Sequence, residues 1–249
     1  MDNLMNIIIE TLSSNGYEIE EIETVKALQK RLNGKSFSFE EHIAAMVYAL
    51  LGNQRPWKTI SENYDKIKEV FHNFDPDYLQ ETDPIILTNN VREIKCGNRM
   101  IRSQMNSLSY NIDIFKSITS SYGTMDKYVL SDEPLIIADE LSQGKYKLKQ
   151  MGIALVIEYL KNVGIDAFKP DIHIKRLFGS DRLGLSDKPF ATEQEVLKLA
   201  KEISIKSNMP ITVIDSIIWQ FCATNYAQIC SASPHCEKCL VRTKCNYNK

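Results

Sequence analysis

Between Leu148 and Gly179 the chain reads LKQMGIALVIEYLKNVGIDAFKPDIHIKRLFG, and this stretch limits the possible fold more than any other. Ile153, Val156, Ile157, Leu160 and Val163 recur at helical spacing, which predicts an amphipathic or buried helix over 153–163. Gly152 marks a turn ahead of it, and Gly164 stands where a helix commonly ends in a left-handed residue. Pro170-Asp171 then opens a second helix, with Asp171 at the N-cap before Ile172, Ile174 and Leu177. Two helices with a short connection therefore deliver one carboxylate to a helix start.

The rest of the chain carries the same period. Ser38 to Glu41 is a capping-box pattern leading into Ile43, Met46, Val47, Leu50 and Leu51, and that helix ends at the polar turn Gly52-Asn53-Gln54-Arg55-Pro56. A further helix is expected from Trp57 through Ile67 and Phe71, a short one from Asp83-Pro84, a longer one over 99–115, and a short one over 132–141 with Pro134 in its first turn. Thr192 to Glu195 is a second capping box, and Pro210 introduces a last helix carrying Trp219. Residues 4–30 add one or two more. About ten helices with short connections, and scarcely any strand alternation, make this an all-α protein. With 249 residues, 43% of them apolar, the chain can bury one large core or two smaller ones.

Four of the six cysteines fall within sixteen residues, as Cys230-SASPH-Cys236-EK-Cys239-LVRTK-Cys245. Such a quartet reads as a metal site rather than a disulfide framework in an intracellular protein. Zinc usually takes two separated C-x-x-C knuckles, and only Cys236 and Cys239 form one here. A [4Fe–4S] cluster needs one thiolate per iron and also suits a short loop. Spacing alone leaves zinc and the cluster open. Cys96 and Cys222 stand apart and are expected in the core.

A net charge of −2 excludes a protein coated in basic residues, but a local basic face suffices to bind nucleic acid. Acid gathers at Glu18, Glu20, Glu21 and Glu23, whereas Lys145, Lys147, Lys149, Lys169, Lys175, Arg176 and Arg182 gather around the 148–179 stretch. No run approaches the ~18 apolar residues of a membrane span. The start, MDNLMNIIIE, has neither a basic region nor a small-residue cleavage site, so no secretory signal is read and an intracellular location is expected.

Three features, in this order along the chain, resemble the helix-hairpin-helix DNA glycosylase superfamily, its endonuclease III type above all. The helix Phe39 to Leu51 ending in Asn53-Gln54 resembles the helix and loop that insert a polar side chain into DNA. KPDIHIKRLFG resembles the family's aspartate-bearing helix start. The loop from Cys230 to Cys245 resembles the family's iron–sulfur loop, with a first gap one residue shorter than usual. The resemblance implies a two-lobed fold, with a helical barrel over 38–165 that includes the hairpin, and a second lobe from 1–37 and 166–249 carrying the loop 230–245. It also implies a [4Fe–4S] cluster on Cys230, Cys236, Cys239 and Cys245, and Asp171 as catalytic carboxylate. DNA contacts are expected from Asn53, Gln54 and Arg55 at the inserting loop, from Lys149, Gln150 and Gly152 at the hairpin, and from Lys175, Arg242 and Lys244. The partner would be double-stranded DNA containing a damaged base, bound by a monomer with no membrane involved.

Two departures matter. The family hairpin commonly reads L-P-G-V-G, and here it is Leu148-Lys149-Gln150-Met151-Gly152, so only the second glycine remains. The position of the lysine that forms a Schiff base in bifunctional members falls on Ile153 or Ala154, and neither side chain is a nucleophile. A monofunctional glycosylase is therefore expected, with alkylated purines as its first substrate and deaminated, mismatched or oxidised bases next. The competing readings are a DNA-binding protein of the same fold without catalysis, and a zinc-stapled helical scaffold that binds no DNA. Trp57 is expected at the core or rim, and His173 as a packing or surface residue.

Overall fold

The structure, a computed structural model, describes residues 4–19, 22–224 and 226–248. Glu20 and Glu21 of the acidic group lie outside them. The described residues contain fourteen α-helices and no strand. They are α1 Leu4–Ser14, α2 Glu23–Leu32, α3 Phe39–Leu51, α4 Trp57–Ser61, α5 Tyr64–Val70, α6 Pro76–Glu81, α7 Pro84–Glu93, α8 Ile101–Tyr122, α9 Met125–Val129, α10 Pro134–Ser142, α11 Ile153–Asn162, α12 Ile172–Phe178, α13 Glu193–Ser207 and α14 Ile211–Cys222.

The starts are fixed by the residues read from sequence. Ser38 and Thr192 close complete capping boxes with Glu41 and Glu195, and Asp83 accepts from the Ile85 N–H ahead of Pro84. Each such cap is worth about 1 kcal/mol. Gly164 ends the segment after α11 at φ +73, and a Cβ there would stand 2.5 Å from the Ala27 carbonyl oxygen, so glycine is required twice over. The expected helix from Trp57 to Phe71 is in fact two, because Glu62 and Asn63 break the period between α4 and α5.

The chain packs as two units, Ala27–Ile165 and Met1–Lys26 with Asp166–Lys249. The expected barrel began at 38, so residues 27–37 belong with it as well. The reason is Arg31, whose guanidinium donates to the Val163 carbonyl through Nε and Nη2 at 2.8 and 2.6 Å and pairs with Asp126 at 2.6 Å.

In the 27–165 unit, α3 packs on α11, α11 on α10, and α7 and α9 on the long α8. Met46, Leu50, Met105, Ile112, Phe115 and Leu160 are wholly buried, each worth about 1.5–3 kcal/mol relative to exposure. In the other unit, α1, α12, α13 and α14 share a core of Ile8, Leu12, Ile174, Phe178, Val196, Ile214, Ile218 and Phe221. Cys230 and Val241 belong to that core, which anchors the cysteine loop directly in it.

Candidate functional site

The turn between α10 and α11 is a built hairpin. Leu148 N–H donates to the Leu141 carbonyl at 2.8 Å, and Leu148 and Met151 are buried beneath the turn. Asn111 of α8 clamps the chain at Lys149, accepting from its N–H at 2.8 Å and donating to its carbonyl at 3.0 Å. Gln150 occupies the left-handed region at φ +62, so the turn retains the conformation a glycine would favour although its side chain is glutamine. Gly152, at φ −76, is the N-cap of α11 with no side-chain cap, and a Cβ built on it meets nothing within 4 Å. The N–H groups of Gly152, Ile153 and Ala154 have no acceptor among the described residues. Three unpaired donors thus stand at the start of a ten-residue helix, with open space beside Gly152. Lys149 does not point its charge freely, since its Nζ sits 3.9 Å above the Tyr110 ring.

At the loop after α3 the three expected contact residues part company. Asn53 is partly buried and continues the turn by donating to the Leu50 carbonyl at 3.2 Å. Arg55 clamps a neighbouring loop, donating to the Gly97 carbonyl at 2.6 Å and to the Lys95 carbonyl. Gln54 is the exposed member, held at φ +57, and its amide oxygen accepts from Arg99. Trp57 is a packing residue, with its ring against Gly52 and edge-on to Tyr64 at 6.2 Å.

Asp171 caps α12 with one oxygen. Its Oδ1 accepts from the N–H groups of His173 at 2.9 Å and Ile174 at 3.1 Å, and Oδ2 has no hydrogen-bond partner among the described residues. The carboxylate is partly buried, so this second oxygen remains within reach of solvent or a ligand. His173 Nδ1 lies 3.2 Å from Arg176 Nη2. A guanidinium only donates, so Nδ1 accepts and a neutral ring carries its proton on Nε2. Burial pushes the imidazole below its ordinary value, and Arg176 and Lys169 add to that against Asp171. The same Arg176 nitrogen reaches the Cys230 carbonyl at 3.5 Å. Lys175 is partly buried on α12, and its carbonyl accepts from Ala191 N–H at 2.9 Å.

Cys230, Cys236, Cys239 and Cys245 all line one cavity, together with Arg182, Ile229, Pro234, Arg242 and Tyr247. Burial, with Cys230, Cys245 and Cys236 close by, pushes Cys239 up to about 11 against a hydrogen bond from the Val241 backbone. The neighbouring Cys222 thiol draws Cys230 down to about 7 against its own burial, helped by Arg182 and Arg176. No three His, Cys, Asp or Glu side chains among the described residues are arranged to hold a single metal ion. The four thiols share one cavity wall without converging on one point. Arg182 and Arg242 in the wall suit an anionic group, and the buried Nε of Arg182 has no acceptor among the described residues. Arg242 and Lys244 are exposed on the 3-10 turn Leu240–Lys244, and only Arg242 lines the cavity. Arg99 and Asn111 were not singled out from sequence, and Arg182 was read only as one of a basic group; each acts through a contact 45 or more residues away or across two helices, which no local pattern encodes.

No family model and no curated protein matches the chain. Solved structures do match. The Methanocaldococcus jannaschii 8-oxoguanine glycosylase/lyase in complex with 15mer DNA containing 8-oxoguanine is 18% identical with a TM-score of 0.59, over 88% of this chain and 96% of that one. The 8-oxoguanine DNA glycosylase of the same organism is 17% identical with a TM-score of 0.60, over 89% and 96%. The chain therefore has the all-helical helix-hairpin-helix glycosylase fold that its sequence resembles.

Proposed function

We propose that this chain is a monofunctional DNA glycosylase, which hydrolyses the N-glycosidic bond of a flipped damaged base and leaves the strand intact. The observation that carries the reading is the division of labour within Asp171. Oδ1 satisfies the start of α12, and Oδ2 is left to act. A base must leave the stack before its glycosidic bond can be reached. As that bond breaks, positive charge develops on the sugar, and the Asp171 carboxylate stabilises it. The same oxygen orients and deprotonates the water that bonds to the anomeric carbon, while the base departs with the bonding electrons and takes up a proton. Ile153 and Ala154 at the start of α11 offer no amine, so no Schiff base forms and the abasic strand is the product.

The uncapped start of α11 holds a DNA phosphate, and Gln54 fills the place of the extruded base. Lys149, Lys175, Arg242 and Lys244 add charge along the backbone, with a single copy of the chain acting on double-stranded DNA. Asn53 and Arg55 support Gln54 from within the turn. Cys230, Cys236, Cys239 and Cys245 would hold a [4Fe–4S] cluster, with Arg182 and Arg242 against its charge. When bound, it supplies an inorganic cross-link that fixes the loop; the hydrolysis runs through Asp171. Two structures of the same fold act on 8-oxoguanine by their names, so an oxidised purine joins the alkylated purine at the head of the substrate list.

The test is a panel of duplexes, each with one lesion, incubated with the protein and divided into untreated and alkali-treated halves. Cleavage after alkali alone is the expected result. Cleavage without alkali would replace the monofunctional reading with a lyase. Lesion-independent binding with a steep salt slope and no cleavage in either half would identify a DNA-binding protein without catalysis.

A further inference from the structure

Two loops of the 27–165 unit are tied into one frame beneath an exposed tip. Asn98 donates from Nδ2 to the Leu50 carbonyl at 2.9 Å, and the buried Gln104 donates to the same carbonyl at 3.0 Å. Asn98 Oδ1 accepts from the Met100 N–H at 2.8 Å, and Arg55 binds the 52–56 turn to the Gly97 and Lys95 carbonyls. At the tip stand Gln54 and Arg99, both exposed. Arg99 Nη2 donates to the side-chain oxygen of Gln54. A guanidinium only donates, so the amide atom facing it is Oε1 and not Nε2. The Gln54 amide nitrogen is left with no acceptor among the described residues, beside the remaining N–H groups of Arg99. With Oε1 turned to the guanidinium, the tip presents donors and a positive charge.

When a damaged base leaves the stack, the base it was paired with keeps its place with its Watson–Crick edge unpaired. The four bases differ along that edge. Cytosine alone sets two acceptors, N3 and O2, side by side. Thymine separates O2 and O4 with N3–H, and adenine and guanine set N–H donors directly beside their acceptors. We propose that Arg99 is a specificity-determining residue, which fixes the Gln54 amide so that the pair reads cytosine as the orphaned base. The proposal rests on the gap-filling role given to Gln54 above. Gln54 Nε2 and an Arg99 N–H donate to N3 and O2 of cytosine, whereas on the other three bases one of the two donors finds no adjacent acceptor. Lesions that form from guanine face cytosine, so the preference selects these among damaged purines.

The experiment measures binding of the full chain to duplexes that hold a tetrahydrofuran abasic analogue opposite each of the four bases, at one salt concentration. The probe carries no damaged base, so the readout does not depend on which lesion is released. The parent is expected to bind about tenfold tighter opposite cytosine than opposite any other base. Arg99→Ala should remove most of that difference, because Gln54 is then free to turn its oxygen outward. Gln54→Glu puts an acceptor where the outward donor stood and should move the preference from cytosine to guanine or adenine. Both side chains are exposed, and unchanged urea midpoints keep folding out of the comparison. Equal parental affinity opposite all four bases overturns the proposal and leaves the glycosylase reading standing. So does a uniform weakening in Arg99→Ala that retains the cytosine preference. Parental affinity for the abasic duplexes no higher than for an intact duplex overturns the gap-filling reading as well.

Discussion

The two units handle buried charge in opposite ways. In Ala27–Ile165 the charges close on one another. Asp126 receives Arg31 through two nitrogens at 2.6 and 3.3 Å and Ser36 Oγ at 2.7 Å, with His42 Nε2 at 3.4 Å. Burial pushes the Asp126 carboxyl up, but His42, Arg31 and Ser36 together hold it far below the usual carboxylate range. His42 Nδ1 pairs in turn with the Tyr159 hydroxyl at 2.7 Å, and Arg31 ties the group to the end of α11. In the other unit, Arg182 and four thiols face a common cavity instead. The first arrangement pairs its charges with protein atoms, although the buried His42 Nε2 has no hydrogen-bond partner among the described residues, and the second gathers an arginine and four thiols around a cavity. The difference teaches where each unit's stability comes from, and it can be tested because each unit holds one of the two tryptophans, Trp57 and Trp219.

The largest expected effect is on the cysteine side. Cys236→Ala or Cys239→Ala should abolish iron and sulfide and destabilise that unit by about 4 kcal/mol or more, as loss of a structural metal centre does. A Trp57→Phe background, in which Trp219 alone fluoresces, reads this during urea unfolding; an unaltered midpoint would dissolve the contrast between the units. Next comes Asp126→Asn. It leaves Arg31 buried without its counter-charge and should cost the 27–165 unit about 3–5 kcal/mol, read through Trp57 in a Trp219→Phe background.

Acid should separate the units further. His42 is held below its ordinary 6.5, mainly by burial, so the unfolded chain takes up more protons below that pH, and stability falls as pH drops through 6.5. Asp126 is depressed from 3.8, so its contribution is present above that value and is lost as pH falls below it. The 27–165 unit is therefore expected to be at full stability above about pH 6.5 and to weaken in two stages. His42→Gln should remove the first stage; a flat parent profile between pH 5 and 7, measured by urea midpoints, would refute the assignment.

The smallest effects belong to the hairpin. Gln150→Gly relieves a left-handed glutamine and should stabilise by about 1 kcal/mol. Gly152→Ala meets open space and should leave stability within about 0.5 kcal/mol, since no neighbour is displaced. DNA affinity should nonetheless fall, with the log–log salt slope lower by about 1 if one phosphate contact is lost.

Much of this was legible in the sequence where the cause is local. Ser38, Thr192 and Asp171 announce helix starts because a cap acts within three residues. The cysteine loop is likewise written in sixteen residues. Short helices such as α6 and α9 escaped because they bury too few apolar positions to show a period. The Arg31–Asp126 pair spans 95 positions and Arg182 meets the loop 50 positions on, so neither contact has a sequence spacing to detect. At Gln150 the residue type argued against a left-handed turn, and the Asn111 clamp together with buried Leu148 and Met151 overrides it. Arg55 is the reverse case, a basic residue at the expected place whose donors serve the fold.

The central claim is that a single carboxylate performs the chemistry. Its most direct test compares the parent with Asp171→Asn on a duplex whose lesion the parent releases, under single-turnover conditions. Asparagine retains an oxygen to cap α12 and removes the charge. The account predicts normal folding, normal duplex binding and base release slowed by about 10²-fold or more. Release by Asp171→Asn at the parental rate would contradict it.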